Sequence, residues 1–156
     1  MLNISDSGPH LKAEDILALE SRLEIKLPDD YKKFLLVHNG GKPEPSTVNI
    51  QGWKNNPSHK IQVFFRIGGK IKSSEIDWNY EVTRGRVPRE LLPIASTGTG
   101  DLFCISLSGS NRNCVYIWDL QDERTKPTYE NIYSVAKNFR EFLNGIYHYD
   151  PLEANR

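Results

Sequence analysis

Two cysteines and four histidines are the residues from which a nucleophile, a general base or a metal site could be drawn in this chain. A Cys/His pair needs a thiolate beside an imidazole base. Cys104 and Cys114 sit inside apolar, strand-like segments ten positions apart, where a thiol is usually inert. Two buried thiols are therefore expected rather than a reactive centre, although a disulfide is geometrically conceivable. His10, His38, His59 and His148 show no i, i+4 pairing with another histidine or a cysteine, and there is no Cys-x-x-Cys, so zinc has little support. Gly98-Thr99-Gly100-Asp101 lacks the third glycine of a dinucleotide loop and leads into a strand, whereas a phosphate needs a helix N-terminus. Gly68-Gly69-Lys70 lacks the upstream glycine and following Ser/Thr of a P-loop. Both read as plain turns. Asp29/Asp30 and Asp122/Glu123 read as solvated charges and helix-start residues. No catalytic, metal or cofactor site is expected.

One charge pattern is less ordinary. No Asp or Glu occurs from Pro45 to Ser74, while Lys54, Lys60, Arg66, Lys70 and Lys72 do. Asp119, Asp122 and Glu123 cluster later, diluted by Arg124 and Lys126. Ordinary surface variation accounts for such a pattern. So does a bipolar surface that orients a charged protein partner. Tryptophan is enriched at binding hot spots, so Trp53 and Trp78 are natural anchors, whereas Trp118, inside a strand, is expected in the core. The candidate partner-binding residues are Trp53, Lys54, Arg66, Trp78, Asp119, Asp122 and Glu123.

The charges cancel, with 20 Lys+Arg against 20 Asp+Glu. Zero net charge gives no global steering toward nucleic acid or an anionic membrane. There is no apolar run of about 18 residues to cross a bilayer. The first residues lack a basic start followed by an apolar core, so no signal peptide is expected. With the cysteine usage, that suggests a reducing, cytoplasmic location. At 156 residues one domain is expected, with its core at about residues 11–147. A chain this long buries roughly 70% of its unfolded surface and needs no disulfide or metal.

The elements follow from periodicity. Ile16, Leu19 and Leu23 share helical register over residues 11–24, with Glu20 flanking the stripe. After Leu27, Pro28 suits a first turn, Asp29 and Asp30 favour the positive end of a helix dipole, and Tyr31, Phe34, Leu35 and His38 make an apolar stripe. Asn39-Gly40-Gly41 tolerates positive φ and can end that helix in a left-handed cap. Residues 42–60 read as loop with one short strand, Thr47–Gln51. Ile61–Ile67 reads as a strand, and Ser73 or Ser74 as the cap of a short helix through Ile76, Tyr80 and Val82. Leu91–Ser96, Leu102–Leu107 and Cys114–Asp119 read as consecutive strands. Val135, Phe139, Phe142, Leu143 and Ile146 read as a closing helix. Helices, then hairpin-linked strands, then a helix predict an α+β fold: a single, largely antiparallel sheet flanked by helices.

Four segments, in order, resemble the SUKH superfamily, in its branch named after the yeast SMI/KNR cell-wall-assembly regulator. They are Leu27-Pro28 with Tyr31, Phe34-Leu35 and Asn39-Gly40-Gly41; Val87-Pro88 leading to Leu91–Ala95; Gly98 and Gly100-Asp101 before Leu102–Leu107; and Val115–Asp119 followed by Phe139 and Phe142-Leu143. The resemblance spans residues 11–147 or so and implies the α+β domain just described. It also implies a non-enzymatic, protein-binding domain. Many bacterial members are regarded as immunity proteins that neutralise a cognate polymorphic or contact-dependent toxin, often a nuclease. Eukaryotic members look like regulators of cell-wall synthesis. An immunity protein with a toxin domain as partner is the leading expectation here. A regulatory or scaffolding domain is the alternative, and a small-molecule-binding or enzymatic domain the third. The Lys-rich segment departs from the acidic surface a nuclease inhibitor would present.

Overall fold

The computed structural model describes residues 2–53 and 58–153. Its helices are α1 (Ala13–Leu23), α2 (Asp29–Val37), α3 (Ile76–Val82) and α4 (Phe139–Asn144). Its strands are β1 (Asn3–Ser5), β2 (Lys42–Glu44), β3 (Thr47–Asn49), β4 (Ser58–Lys60), β5 (Val63–Phe64), β6 (Leu91–Ser96), β7 (Leu102–Ser106), β8 (Val115–Trp118) and β9 (Ile132–Ala136). The expected α+β class holds. A five-stranded antiparallel sheet, ordered β5-β6-β7-β8-β9, carries the core, and two antiparallel ribbons, β1-β2 and β3-β4, accompany it.

The sheet is hydrophobic on both faces at its centre. Every residue of β7 is buried, as are Leu91–Ala95 of β6. Pro93 cannot donate a ladder hydrogen bond, and the β6-β7 register shifts between Pro93 and Ala95, where a bulge tolerates it. Helices α2 and α4 pack on this sheet through rings. Phe34 stands 4.9 Å from Phe64 and 5.1 Å from Phe139, and Phe103 lies 5.4 Å from Phe142. Such pairs add about 0.5–1.5 kcal/mol each beyond the area they bury.

Helix α1 presents Ile16, Leu19 and Leu23 to the core, as the spacing predicts, and ends in a left-handed residue, Glu24. Glu20 is not a flanking charge. It is buried, and its Oε2 accepts from the Leu27 backbone amide at 2.7 Å, fixing the turn into α2. Helix α2 has Pro28 as its extended N-cap rather than in its first turn, and it does not end in a left-handed cap. His38 is extended at φ −133°, and the positive φ values fall on Gly40 and Gly41.

Other expectations need correction. Ile61–Ile67 keeps only Val63–Phe64 as sheet, because Phe64 also bridges back to Gly41, and Arg66 pairs with Glu75. Thr47–Gln51 ends at Asn49. Neither Ser73 nor Ser74 caps α3, which begins after Glu75 and follows a short 3₁₀ turn at Lys72–Ser74. Val135 lies not in the closing helix but in β9, paired to β8. Cys104 is buried as expected, but Cys114 is only partly so, since it precedes β8 at the end of a turn; both are free thiols.

Candidate functional site

The residues that could do chemistry are held apart. The Cys104 thiol is fully buried, and desolvation pushes its pKa far up, which disfavours the thiolate a nucleophile needs. His38 packs on Phe34, His59 lies flat on Trp53 with ring centroids 4.1 Å apart, and His148 approaches Glu44 at 3.7 Å. Among the described residues, no three His, Cys, Asp or Glu side chains gather closely enough to hold a metal ion.

Both glycine turns are occupied by the chain itself. Asp101, buried after Gly100, accepts from the Leu120 amide at 3.0 Å and from the Thr97 and Thr99 hydroxyls at 3.4 and 3.1 Å. Gly100 has φ +94°, and a Cβ there would lie 2.5 Å from Leu120 Cδ2. A Cβ on Gly69 would lie 2.4 Å from Arg66 Cδ and 2.7 Å from Glu75 Oε1. Burial pushes the Glu75 carboxyl up, helped by Asp77, while the Gly69 and Gly68 amides and Arg66 oppose the shift.

Asn39-Gly40-Gly41 is a clip. The Asn39 side-chain amide donates to the carbonyls of Pro9 and Ile67 at 2.8 Å each, and its oxygen accepts from the Ile67 amide at 2.9 Å. The Gly8 amide reaches the Asn39 carbonyl and the Ser7 hydroxyl the Gly40 carbonyl, both at 2.8 Å. One asparagine thus ties the N-terminal segment, the end of α2 and the chain after β5 together. Gly40 and Gly41 are needed because a Cβ would meet the carbonyl oxygens of Phe65 at 2.5 Å and Ser5 at 2.4 Å respectively.

The predicted partner-binding residues do not form one site. Trp53 is buried, stacked between His59 and Tyr133. Asp119 is buried at the end of β8, where it accepts from the Gln121 amide and its carbonyl accepts from Asn131. Burial withdraws both from the surface. Lys54 lies outside the described residues. Asp122 pairs with Arg124 at 3.3 Å. Glu123 accepts twice from Arg86, at 2.9 and 3.0 Å, and that guanidinium holds its carboxyl below the ordinary range. Arg66 is half-buried and donates to the Asp6 carbonyl.

Trp78 is different. It is half-buried and lines an open cleft of about 490 Å³ between α1 and α3, with Arg22, Lys70, Lys72, Glu75 and Asp77 among the other walls. The Arg22–Asp77 ion pair, 3.0 Å, spans the two helices. Lys70 and Lys72 are exposed. The acid-free stretch of sequence does not make an acid-free face, because Glu75, just before α3, and Asp77 and Glu81 on it come to the same cleft. Sequence reasoning missed that convergence, since those carboxylates follow the basic run in the chain.

No helix among the described residues is long and apolar enough to cross a membrane. Compared with known proteins, the chain is 23% identical over 158 aligned residues to the SPbeta prophage-derived uncharacterized protein YokK of Bacillus subtilis (strain 168), covering 92% of this chain and 78% of that protein. The model of the SMI1 / KNR4 family (SUKH-1) matches residues 10–145. Asn39–Gly41 and the capped turn at Asp101 lie within the matched residues. The chain belongs to the SMI1 / KNR4 family (SUKH-1).

Proposed function

We propose that this chain is a non-enzymatic, cytoplasmic immunity protein that binds and neutralises a cognate toxin domain. The observation that carries the reading is the division of labour among its polar residues. Asn39, Asp101 and Glu20 are engaged by the chain's own backbone, whereas Trp78 stays accessible in a cleft edged by charge. That is the composition of a protein-binding anchor. The prophage origin of the YokK relative suits a defence role. Inhibition by occlusion needs no turnover. The cleft of mixed sign favours a protein over nucleic acid, whose phosphates demand a surface of one sign.

The test is co-expression of the full chain with the product of the neighbouring open reading frame. Growth protection and a stoichiometric complex are expected. Trp78→Ala should weaken that complex by about tenfold or more, the range of a hot-spot truncation. A wild-type chain that neither binds nor protects against the neighbouring product would overturn the reading.

A further inference from the structure

The arginines of the segment Arg84-Gly85-Arg86-Val87-Pro88-Arg89 are not equivalent. Arg86 is committed, since its guanidinium holds Glu123 and lies 5.3 Å from the centre of the Trp118 ring. Arg84 has only a loose ion pair with Glu81, at 3.7 Å, and lies over the Tyr80 ring at 5.1 Å. Arg89 is exposed. A guanidinium laid on an aromatic face keeps its edge N–H groups available for a carboxylate.

Arg84 and Arg89 edge a hollow of about 390 Å³ whose floor includes Tyr80, Val87 and Leu91. All three floor residues are buried in the core. Among the described residues, no carboxylate lines this hollow. A second hollow, of about 480 Å³, shares Tyr80, Arg84 and Arg89 and extends to Lys26. Its acids are Glu24 and Glu90, and Glu90 already accepts a hydrogen bond from the Tyr129 hydroxyl. The two arginines therefore stand at the junction of adjoining depressions, above an apolar floor, with Glu81 pairing Arg84 from outside the first.

We propose that this hollow takes an acidic segment of a protein partner. An apolar side chain sits on Tyr80, Val87 and Leu91, and flanking carboxylates meet Arg84 and Arg89. The inference rests on the protein-binding reading above and deepens it by naming the surface and the partner's chemistry. Two cations over an apolar floor match a carboxylate-bearing peptide, whereas a nucleic acid needs a row of cations along its phosphates.

The full chain is titrated with a short peptide of glutamates around one phenylalanine, and with its lysine counterpart, and backbone amide NMR shifts are followed. The acidic peptide should shift the Gly85 and Val87 amides, and the lysine peptide should not. R84A/R89A should weaken binding by about tenfold, as expected for two partly exposed charge contacts, with an unchanged urea midpoint. Equal response to both peptides, no response to the acidic one, or a stronger response at the same amides to a single-stranded DNA oligomer would overturn the proposal. The neighbouring toxin domain supplies the second arm. If the wild type binds it and R84E/R89E binds it equally well, this surface is wrong while the immunity reading stands. If the wild type ignores it but takes the acidic peptide through Arg84 and Arg89, the surface stands and the immunity reading fails.

Discussion

Replacing Gly40 by alanine isolates what the Asn-Gly-Gly signature does. Gly40 has φ +68°, where a side chain costs about 1 kcal/mol. The added Cβ would also lie 2.5 Å from the Phe65 oxygen, 2.7 Å from the Phe64 oxygen and 2.8 Å from the Phe65 carbonyl carbon. All three atoms are backbone, and they cannot swing away as a side chain would. Phe64 is fixed by its exchange of hydrogen bonds with Gly41, at 2.8 and 3.0 Å, and Phe65 by its bond to the Ile94 carbonyl at 2.8 Å. Forcing that backbone apart costs about 1–3 kcal/mol, so Gly40→Ala should lose about 2–4 kcal/mol of a total near 5–15. Gly85→Ala is the matched control. Its φ is +79°, but nothing lies within 4 Å of its added Cβ, so only the conformational part remains, about 1 kcal/mol. Urea unfolding followed by tryptophan fluorescence reads the difference. With a slope of about 2 kcal/mol/M, the Gly40 variant's midpoint should fall by about 1–2 M and the control's by about 0.5 M. Equal losses in the two variants would refute the steric argument and leave the glycine pair as a mere turn.

Other expectations follow from single contacts. The Tyr31 hydroxyl is buried without a hydrogen-bond partner among the described residues, so Tyr31→Phe should match or exceed the wild type in urea midpoint; a loss above about 1 kcal/mol contradicts this. Arg86 holds the Glu123 carboxyl below its ordinary pKa, so this pair's stabilisation is present above the unfolded carboxylate pKa and fades as pH falls through the lower folded one. Glu123→Gln should therefore lose up to about 1 kcal/mol at neutral pH, kept small because the pair is part-exposed, and the difference should vanish in strong acid. A pH-independent difference would locate the effect elsewhere. In native protein a thiol reagent should label Cys114 and spare Cys104, whose reaction should wait on unfolding; equal native rates would contradict the burial described.

The helices were legible because their signals are local. Ile16, Leu19 and Leu23, and Tyr31, Phe34 and Leu35, declare their faces within a few residues, and the central strands β6 to β8 are apolar runs between turns. The β1-β2 ribbon was not legible. Asn-Ile-Ser at 3–5 and Lys-Pro-Glu at 42–44 carry no strand pattern, and they pair only because the Asn39 clip brings the N-terminal segment to the end of α2. Val135 falls in step with Phe139 and Phe142 at helical spacing, whereas its place in β9 beside β8 is a long-range fact. Trp53 and Asp119 have types that suit a surface, yet stacking on Tyr133 and capping of the turn at Leu120–Asp122 bury them. Trp78 was readable as a candidate anchor, but the carboxylates sharing its cleft, at the start of α3 and on it, were not. The arginine pair at 84 and 89 was not legible because the sequence shows three arginines together, and only the fold takes Arg86 away to Glu123 and Trp118.

The most direct test of the immunity reading is growth of cells producing the neighbouring toxin domain, with and without the full wild-type chain, alongside calorimetric titration of the purified pair. Restored growth and a tight one-to-one complex whose affinity falls as salt rises are expected. Toxicity unchanged by the chain, with no heat of binding, would contradict it.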